Sequence, residues 1–345
     1  MDRRRCLQAL AAGGLWAGGL GPSWGTPSAP RFLLDQVGRR VALPPRVERL
    51  ATPGISLASL ALVLGAAPRL VGVAGEVRAN PWLARIFPGL ARIPTPFSGA
   101  ALSGESLLAL KPDLVLLWGD HDPRLRQLEG LGIPVVCLRY TLPAALQEAA
   151  TLLGTVLGGE GPQRARRFVA YYRANLEKVA AGLAGLAEGR RPRVYYASMD
   201  PLHTEGRASL VDAWINAAGG VNVAARAGIE GDRPVGMEEV LTWNPQIIVV
   251  REPRHRLAML WDSRWRGVAA VRNGRVLVNP KGVNAWCTRG AEAALQVLWA
   301  AKMFHPERFP ALVVGAEGAA FYREFYGYAL NREELGRMLA GEPPP

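Results

Sequence analysis

At 345 residues the chain is long for one compact domain and natural for two. Its 49% apolar and 20% charged residues exclude wholesale disorder, and three cysteines exclude a disulfide-stapled scaffold; no run of about 18 uninterrupted apolar residues occurs, which excludes a polytopic membrane protein. Lys and Arg outnumber Asp and Glu by 41 to 29, and with no basic block longer than three residues this surplus reads as solvated surface or as provision for an anionic ligand or membrane face, not for nucleic acid.

Arg3, Arg4 and Arg5 open a positive segment, and Cys6 to Leu20 follow as a mildly apolar, Gly- and Ala-rich stretch. That stretch is too short to span a bilayer, which takes about 20 residues, but it suits the apolar region of a signal peptide. Small residues at Ser28 and Ala29 offer a cleavage site, so residues 1–29 are expected to be an export signal and the mature chain periplasmic. The paired arginines fit the twin-arginine motif, with Cys6 where an apolar residue is usual; an ordinary secretory signal is the alternative.

Residues 32–50 read as a short hairpin turning at Gly38, and Ile55 to Leu64 as an apolar helix start. Leu70 to Gly75 is a short buried strand, Glu105 to Leu110 a small helix, and Leu114 to Trp118 a continuous apolar run of the kind a parallel strand covered on both faces requires. Ile133 to Leu138 is the next strand. Residues 143–187 carry no strand signal and hold two helices broken near Gly158; the second, Gln163 to Leu186, is long enough to cross the molecule. The alternation then restarts with strands at 193–197, 247–250 and 275–278, and a helix over 291–304; residues 316–345 read as helical and peripheral, with a frayed Pro tail. Strands alternating with helices indicate parallel α/β sheets.

One internal echo stands out. Glu105-x-Leu107-Leu108-x-x-x-Pro112-Asp113-Leu114-Val115 matches Glu238-x-Val240-Leu241-x-x-x-Pro245-Gln246-Ile247-Ile248, at corresponding places in the two halves. With it come Asp35-x-x-Gly38-Arg39, Ser106 to Val115, Ala218 to Ala224, Trp243 to Val249, and Trp265 through Val276. In this order, over roughly residues 32–310, the chain resembles the periplasmic substrate-binding proteins of ABC importers for ferric siderophores, haem or cobalamin. The resemblance implies an α/β fold of two Rossmann-like lobes joined by one long rigid α-helix, with ligand in the cleft between them. The expected division is 1–29 signal, 30–160 first lobe, 161–189 interlobe helix, and 190–345 second lobe with a helical tail. It implies a monomer that works with an ABC permease and its ATPase subunits, meeting the membrane only through them. It also implies that Glu105 and Glu238 dock onto permease arginines, a role compatible with the favourable placing of a carboxylate in a first helical turn.

Ligands of open α/β sheets sit beyond the carboxyl ends of the strands. The loops there bring aromatics (Trp118, Tyr140, Tyr196, Trp286) beside cations (Arg139, Arg251, Lys281, Arg289), and an anionic metal chelate wants both, aromatic faces for area and guanidinium forks for carboxylates. A ferric siderophore or citrate-like chelate is the first expectation and haem or a corrinoid the second; for haem, Tyr196, Met199 or His203 would be the iron ligand, although His203 also reads as an ordinary solvated histidine. His255 and His305 read as surface, Cys137 as buried and inert, and no cofactor is expected. Four scattered histidines do not suit a bare metal ion. A metal-dependent enzyme using Asp120, His121, Asp200 and His203 is the distant alternative, with no nucleophile elbow, phosphate loop or HExxH motif to support it.

Overall fold

The computed structural model describes residues 31–345; the expected signal segment 1–29 lies outside them. Two four-stranded parallel sheets form the frame. The first contains β1 (Leu50–Thr52), β2 (Leu70–Val73), β3 (Leu114–Trp118) and β4 (Val135–Leu138) in the order β2-β1-β3-β4. The second contains β5 (Arg193–Ala197), β6 (Val221–Asn222), β7 (Ile247–Val250) and β8 (Val276–Val278) in the order β6-β5-β7-β8. Counted within each sheet the two orders are identical, and each reverses direction between its first and third strand, where open α/β sheets place their ligands. The central strands are short apolar runs buried from both sides: Leu114 to Leu117 and Ile247 to Val250 are all inaccessible.

The echoed motif is the same object in both lobes. Helix α1 (Ile55–Val63) follows β1, and α2 (Gly104–Ala109) precedes β3. Just beyond α2 and just before β3, Lys111 takes a left-handed φ of +43°, and Asn244 takes +41° at the matching point of the second lobe. Pro112 and Pro245 come next and bar the helix from continuing. The Asp113 carboxylate then accepts the amides of Glu48 and Arg49, both at 2.8 Å, while the Gln246 side-chain oxygen accepts the amide of Arg193 at 3.0 Å. Arg49 Nη2 donates to the Leu110 carbonyl at 2.7 Å, and Arg193 Nη2 to the Asn244 carbonyl at 3.0 Å. Each Glu-bearing helix is thus fastened at its carbonyl end to the start of its sheet's first strand.

Between the sheets in sequence lie α3 (Pro143–Leu157) and α4 (Gly161–Gly182). The latter is about 33 Å long at 1.5 Å per residue and ends four residues sooner than the sequence suggests. It buries Ala165, Phe168, Tyr172 and Val179. A Cβ on Gly154 would lie 2.7 Å from that of Ala165, so glycine is what lets α3 and α4 approach so closely. Asn175 on α4 donates to the Ala294 carbonyl at 2.8 Å. The second lobe adds α5 (Met237–Trp243), α6 (Ala293–Phe304) and α7 (Arg332–Leu339).

The tail is helical, as the sequence suggests, but it is not peripheral. Phe321, Tyr322, Phe325 and Tyr326 are buried; Phe325 lies edge-on to Phe168 of α4 at 5.8 Å, and Tyr326 edge-on to Phe87 of the first lobe at 6.0 Å. Farther on, Arg85 pairs with Glu334 at 2.8 Å, the Trp82 indole donates to the Glu342 carbonyl at 3.1 Å, and the Lys281 amide donates to the Met338 carbonyl at 2.9 Å. Four aromatics within six residues had to find a core, and the nearest one joins both lobes.

The opening hairpin (Arg31–Leu34 with Arg40–Leu43) is docked by Gln36, which donates to the Ala145 carbonyl at 2.9 Å and accepts the Arg139 amide at 3.0 Å, and by Asp35. The buried Asp35 carboxylate accepts the amides of Val37 and Arg39 at 3.2 and 2.8 Å and that of Cys137 on β4 at 3.1 Å. Asp35→Ala should lower unfolding free energy by roughly 1–3 kcal/mol, the cost of leaving buried donors unpaired, read as an earlier urea midpoint at unchanged m.

Candidate functional site

Loops at the carboxyl ends of β1, β2 and β3 enclose a cavity of about 300 Å³, lined by Pro53 to Leu57, Ala74, Glu76, Gly99, Trp118, Asp122 and Arg124. Helix α1 begins at this wall. Its N-cap is Gly54, which offers no side-chain cap, and no acidic residue occupies its first turn. The Ala58 amide is the first to bond back, to the Gly54 carbonyl at 2.9 Å, so the amides of Ile55, Ser56 and Leu57 have no partner within the helix. Free amides and the positive end of the helix dipole favour an anion there. Arg124 stands beside them, held by Asp122 at 2.5 Å and by the Gly99 carbonyl at 2.9 Å, with its guanidinium 5.9 Å from the Phe97 ring centre. Asp122 offsets the charge of Arg124, and Glu76 adds an open carboxylate to the rim.

Trp118 ends β3 half-exposed on the cavity, with Tyr140 packed edge-on against it at 4.5 Å. Tyr140 itself is buried and donates to the Ser56 carbonyl at 3.3 Å. Burial pushes its hydroxyl pKa up, and the charge of Arg289, reaching it from the second lobe, opposes that. Arg139 is exposed, 3.7 Å from Asp120.

In the second lobe Arg251 follows the end of β7, and Arg289 lies close enough to the first lobe for its charge to act on Tyr140. Arg289 Nη2 lies 3.4 Å from Glu205 Oε2. Glu205 sits on a short antiparallel hairpin, His203–Glu205 with Asp232–Pro234. Burial raises the Glu205 pKa, and Arg289 is the strongest charge opposing the rise. Arg251 Nε is buried with no hydrogen-bond partner among the described residues.

Besides the tail, one loop of the second lobe binds directly to the cavity wall. The Asn284 amide side chain reaches the Ser56 hydroxyl at 3.5 Å, the Ala291 amide donates to the Ser59 hydroxyl at 3.3 Å, and Asn80 donates to the Val283 carbonyl at 2.9 Å. The loop is gathered from within by Glu292, fully buried, which accepts the Val283 amide at 3.0 Å, the Asn284 amide at 2.6 Å and the Tyr322 hydroxyl.

Other expected site residues fall elsewhere. Tyr196 and Trp286 are wholly buried and pack the interior instead of facing a ligand: the Tyr196 hydroxyl meets Cys287 Sγ at 3.3 Å, and the Trp286 ring covers Gly318. The loop carrying Trp286 is drawn inward by Glu292, which turns its indole toward the tail helices. Cys287, next to Trp286, is buried too, and burial pushes its thiol up to about 12; that of Cys137 rises to about 11. His203 is tied to Asp232 at 3.1 Å, and Met199 is exposed. His255 and His305, read as surface, are both buried, the latter with its ring nitrogen 3.1 Å from the Gly219 carbonyl. Among the described residues no three His, Cys, Asp or Glu side chains converge on a metal-sized point. Sequence reasoning passed over Ser56, Asp122, Arg124 and Glu205. The first three follow strand ends already singled out, while Glu205, in a polar stretch, gave no local signal. Glu105 and Glu238 are exposed in the first turns of α2 and α5.

The profile of the periplasmic binding protein family matches residues 56–282. The molybdate-binding protein MolA of Haemophilus influenzae is 29% identical over 90% of this chain and 94% of its own length. Its molybdate-bound structure superposes with a TM-score of 0.79 over 87% of this chain and 99% of that one, at 27% identity. The vitamin B12-binding protein of Pectobacterium carotovorum is 26% identical over 67% of this chain and 79% of its own length. A periplasmic solute-binding protein from Veillonella parvula superposes with a TM-score of 0.78 at 25% identity, over 90% of this chain and 96% of that one.

Burial raises the Glu292 pKa to about 8, against an ordinary 4.5, even though its three donors pull the other way. The folded chain therefore keeps a proton that the unfolded chain gives up. The stability this contributes is full below about pH 4.5 and is lost as pH rises through about 8. Thermal unfolding should show Tm falling across that window, and Glu292→Gln should flatten the slope; a wild-type Tm that rises from pH 5 to 8 would contradict the assignment.

Proposed function

This chain belongs to the periplasmic binding protein family, and on that premise we propose that it is the periplasmic solute-binding component of an ABC importer, capturing a compact oxyanion of the molybdate class and passing it unchanged to a permease and its ATPase subunits. The observation that carries this reading is the uncapped amino end of α1 opening on a 300 Å³ cavity beside Arg124. Unpaired amides and a guanidinium are what a small, hard anion needs in place of its water. Arg289 adds a cation from the opposite lobe, near enough for its charge to act on Tyr140, and MolA, matched over nearly its whole length, is a molybdate binder by name.

A ferric siderophore or citrate-like chelate is the second reading, favoured by the half-exposed Trp118 indole braced by Tyr140. Haem and corrinoids fit less well. The Tyr196 hydroxyl is spent on Cys287 and His203 on Asp232, and a 300 Å³ cavity is small for a tetrapyrrole. Burial holds both described cysteines in the thiol form, which speaks against a cysteine nucleophile.

Docking to the permease is assigned to Glu105 and Glu238. Capping is done by their neighbours: Ser103 accepts the Ser106 amide ahead of α2, and Glu239 accepts the Gly236 amide at 2.7 Å ahead of α5. One turn after each glutamate stands an exposed leucine, Leu108 at 45% and Leu241 at 42%. Two equivalent helices thus present the same carboxylate-plus-leucine face, which suits a partner with two equivalent sockets.

Titration calorimetry with sodium molybdate, and with ferric citrate in parallel, should give a saturable site. Arg124→Ala should weaken it by roughly tenfold or more, the scale of a charged hydrogen bond. Unchanged affinity in that variant would move the site away from α1. Glu105→Ala combined with Glu238→Ala should abolish uptake and leave ligand affinity intact; a fall in affinity instead would refute the docking assignment.

A further inference from the structure

Arg289 is the cation that the second lobe sends toward the first, yet it already has an anion. Its guanidinium lies 3.4 Å from the Glu205 carboxylate, with the two side chains 36% and 12% exposed. The other groups acting on Glu205 come from every element around it: Arg251 at the end of β7, His203 on its own strand, and Asp232 on the paired strand. Cys287 and Tyr196 adjoin from the loop and from β5, and both remain protonated. Asp232 is engaged by His203 at 3.1 Å and by the Ser198 hydroxyl at 3.2 Å. Glu205 is therefore the carboxylate left to balance Arg289 and Arg251.

We propose that Glu205 is a built-in stand-in for the ligand: it occupies Arg289 in the empty cleft, is displaced by the incoming anion, and takes up a proton from solvent as it lets go, so that capture is coupled to proton binding. This rests on the reading above insofar as Arg289 meets the ligand. The sign follows from the charges. An ionised Glu205 competes with the anion for Arg289, and a protonated one does not. Burial already favours the protonated form, and an arriving anion, being a like charge, favours it further. Affinity for an anion should then rise as pH falls, and binding should consume protons.

The experiment is calorimetry of the whole chain with sodium molybdate between about pH 6 and 8, repeated in buffers of different ionisation enthalpy to count protons, with ferric citrate as a second probe. Wild type should bind more tightly at the acid end and take up a fraction of a proton. Glu205→Gln should bind about two- to five-fold more tightly at neutral pH, the scale of a partly exposed ion pair released, and should lose both the pH dependence and the proton uptake. Glu205→Ala, which cannot hydrogen-bond to Arg289, should move the same way, and thermal melts establish that each variant is folded. If both variants bind no tighter than wild type and proton uptake persists while Arg289→Ala loses binding, the stand-in role is wrong and the anion site stands. If Arg289→Ala binds as wild type does, or neither probe binds the wild-type chain, the inference falls together with the reading beneath it.

Discussion

The buried carboxylate of Glu292 holds the cleft in register. In a dry interior it gathers the amides of Val283 and Asn284 and the Tyr322 hydroxyl, and so fixes a loop that would otherwise be a long surface excursion. That loop touches Ser56 and Ser59 on the helix whose amino end lines the cavity, and it carries Arg289 a few residues later. One side chain that contacts neither thus helps to set the relative placement of the first lobe's amides and the second lobe's cations. Such an arrangement works only if the carboxyl is well satisfied, because an unpaired polar group at that depth would cost more than the loop's order is worth.

The same economy appears in the repeated unit. Arg49 and Arg193 stand just before or at the start of the first strand of each sheet, and each reaches the carbonyl end of the glutamate-bearing helix of its own lobe. A left-handed residue and a proline end the helix, and Asp113 or Gln246 pairs the next strand's start to the first. Side chains of different charge, Asp and Gln, fill one geometric role, since only an acceptor oxygen at that place is required. The duplication is thus preserved in hydrogen-bond logic where the residues themselves have diverged.

Much of the architecture was legible because it depends on local pattern. Continuous apolar runs such as Leu114 to Leu117 report burial on both faces, and the paired Glu-to-Pro spacing reported the repeat. Strand β6, of two residues, left too short a pattern to read, and the hairpin at His203–Glu205 is polar throughout. The site was legible as loops but not as contacts. Trp118 ends up on the cavity because it is the last residue of its strand. Tyr196 and Trp286 turn inward because of partners that no sequence window contains. The pairing of Glu205 with Arg289 spans 84 residues, and the burial of His255 and His305 depends on elements packed over them from elsewhere in the chain. Charge pairing across such separations is a property of the assembled sheets, not of any segment.

The aromatic tail gives the molecule a second tether. Trp82 and Arg85 of the first lobe hold the tail from one side while Lys281 holds it from the other, so the tail bridges the two bodies beside the contact of Asn80 with Val283. A strap held by both bodies must be peeled from one of them before they can part, so each of its bonds narrows the swing that remains. A binder strapped in this way would lose little ordering entropy on capture, and release would then depend on individual side-chain contacts.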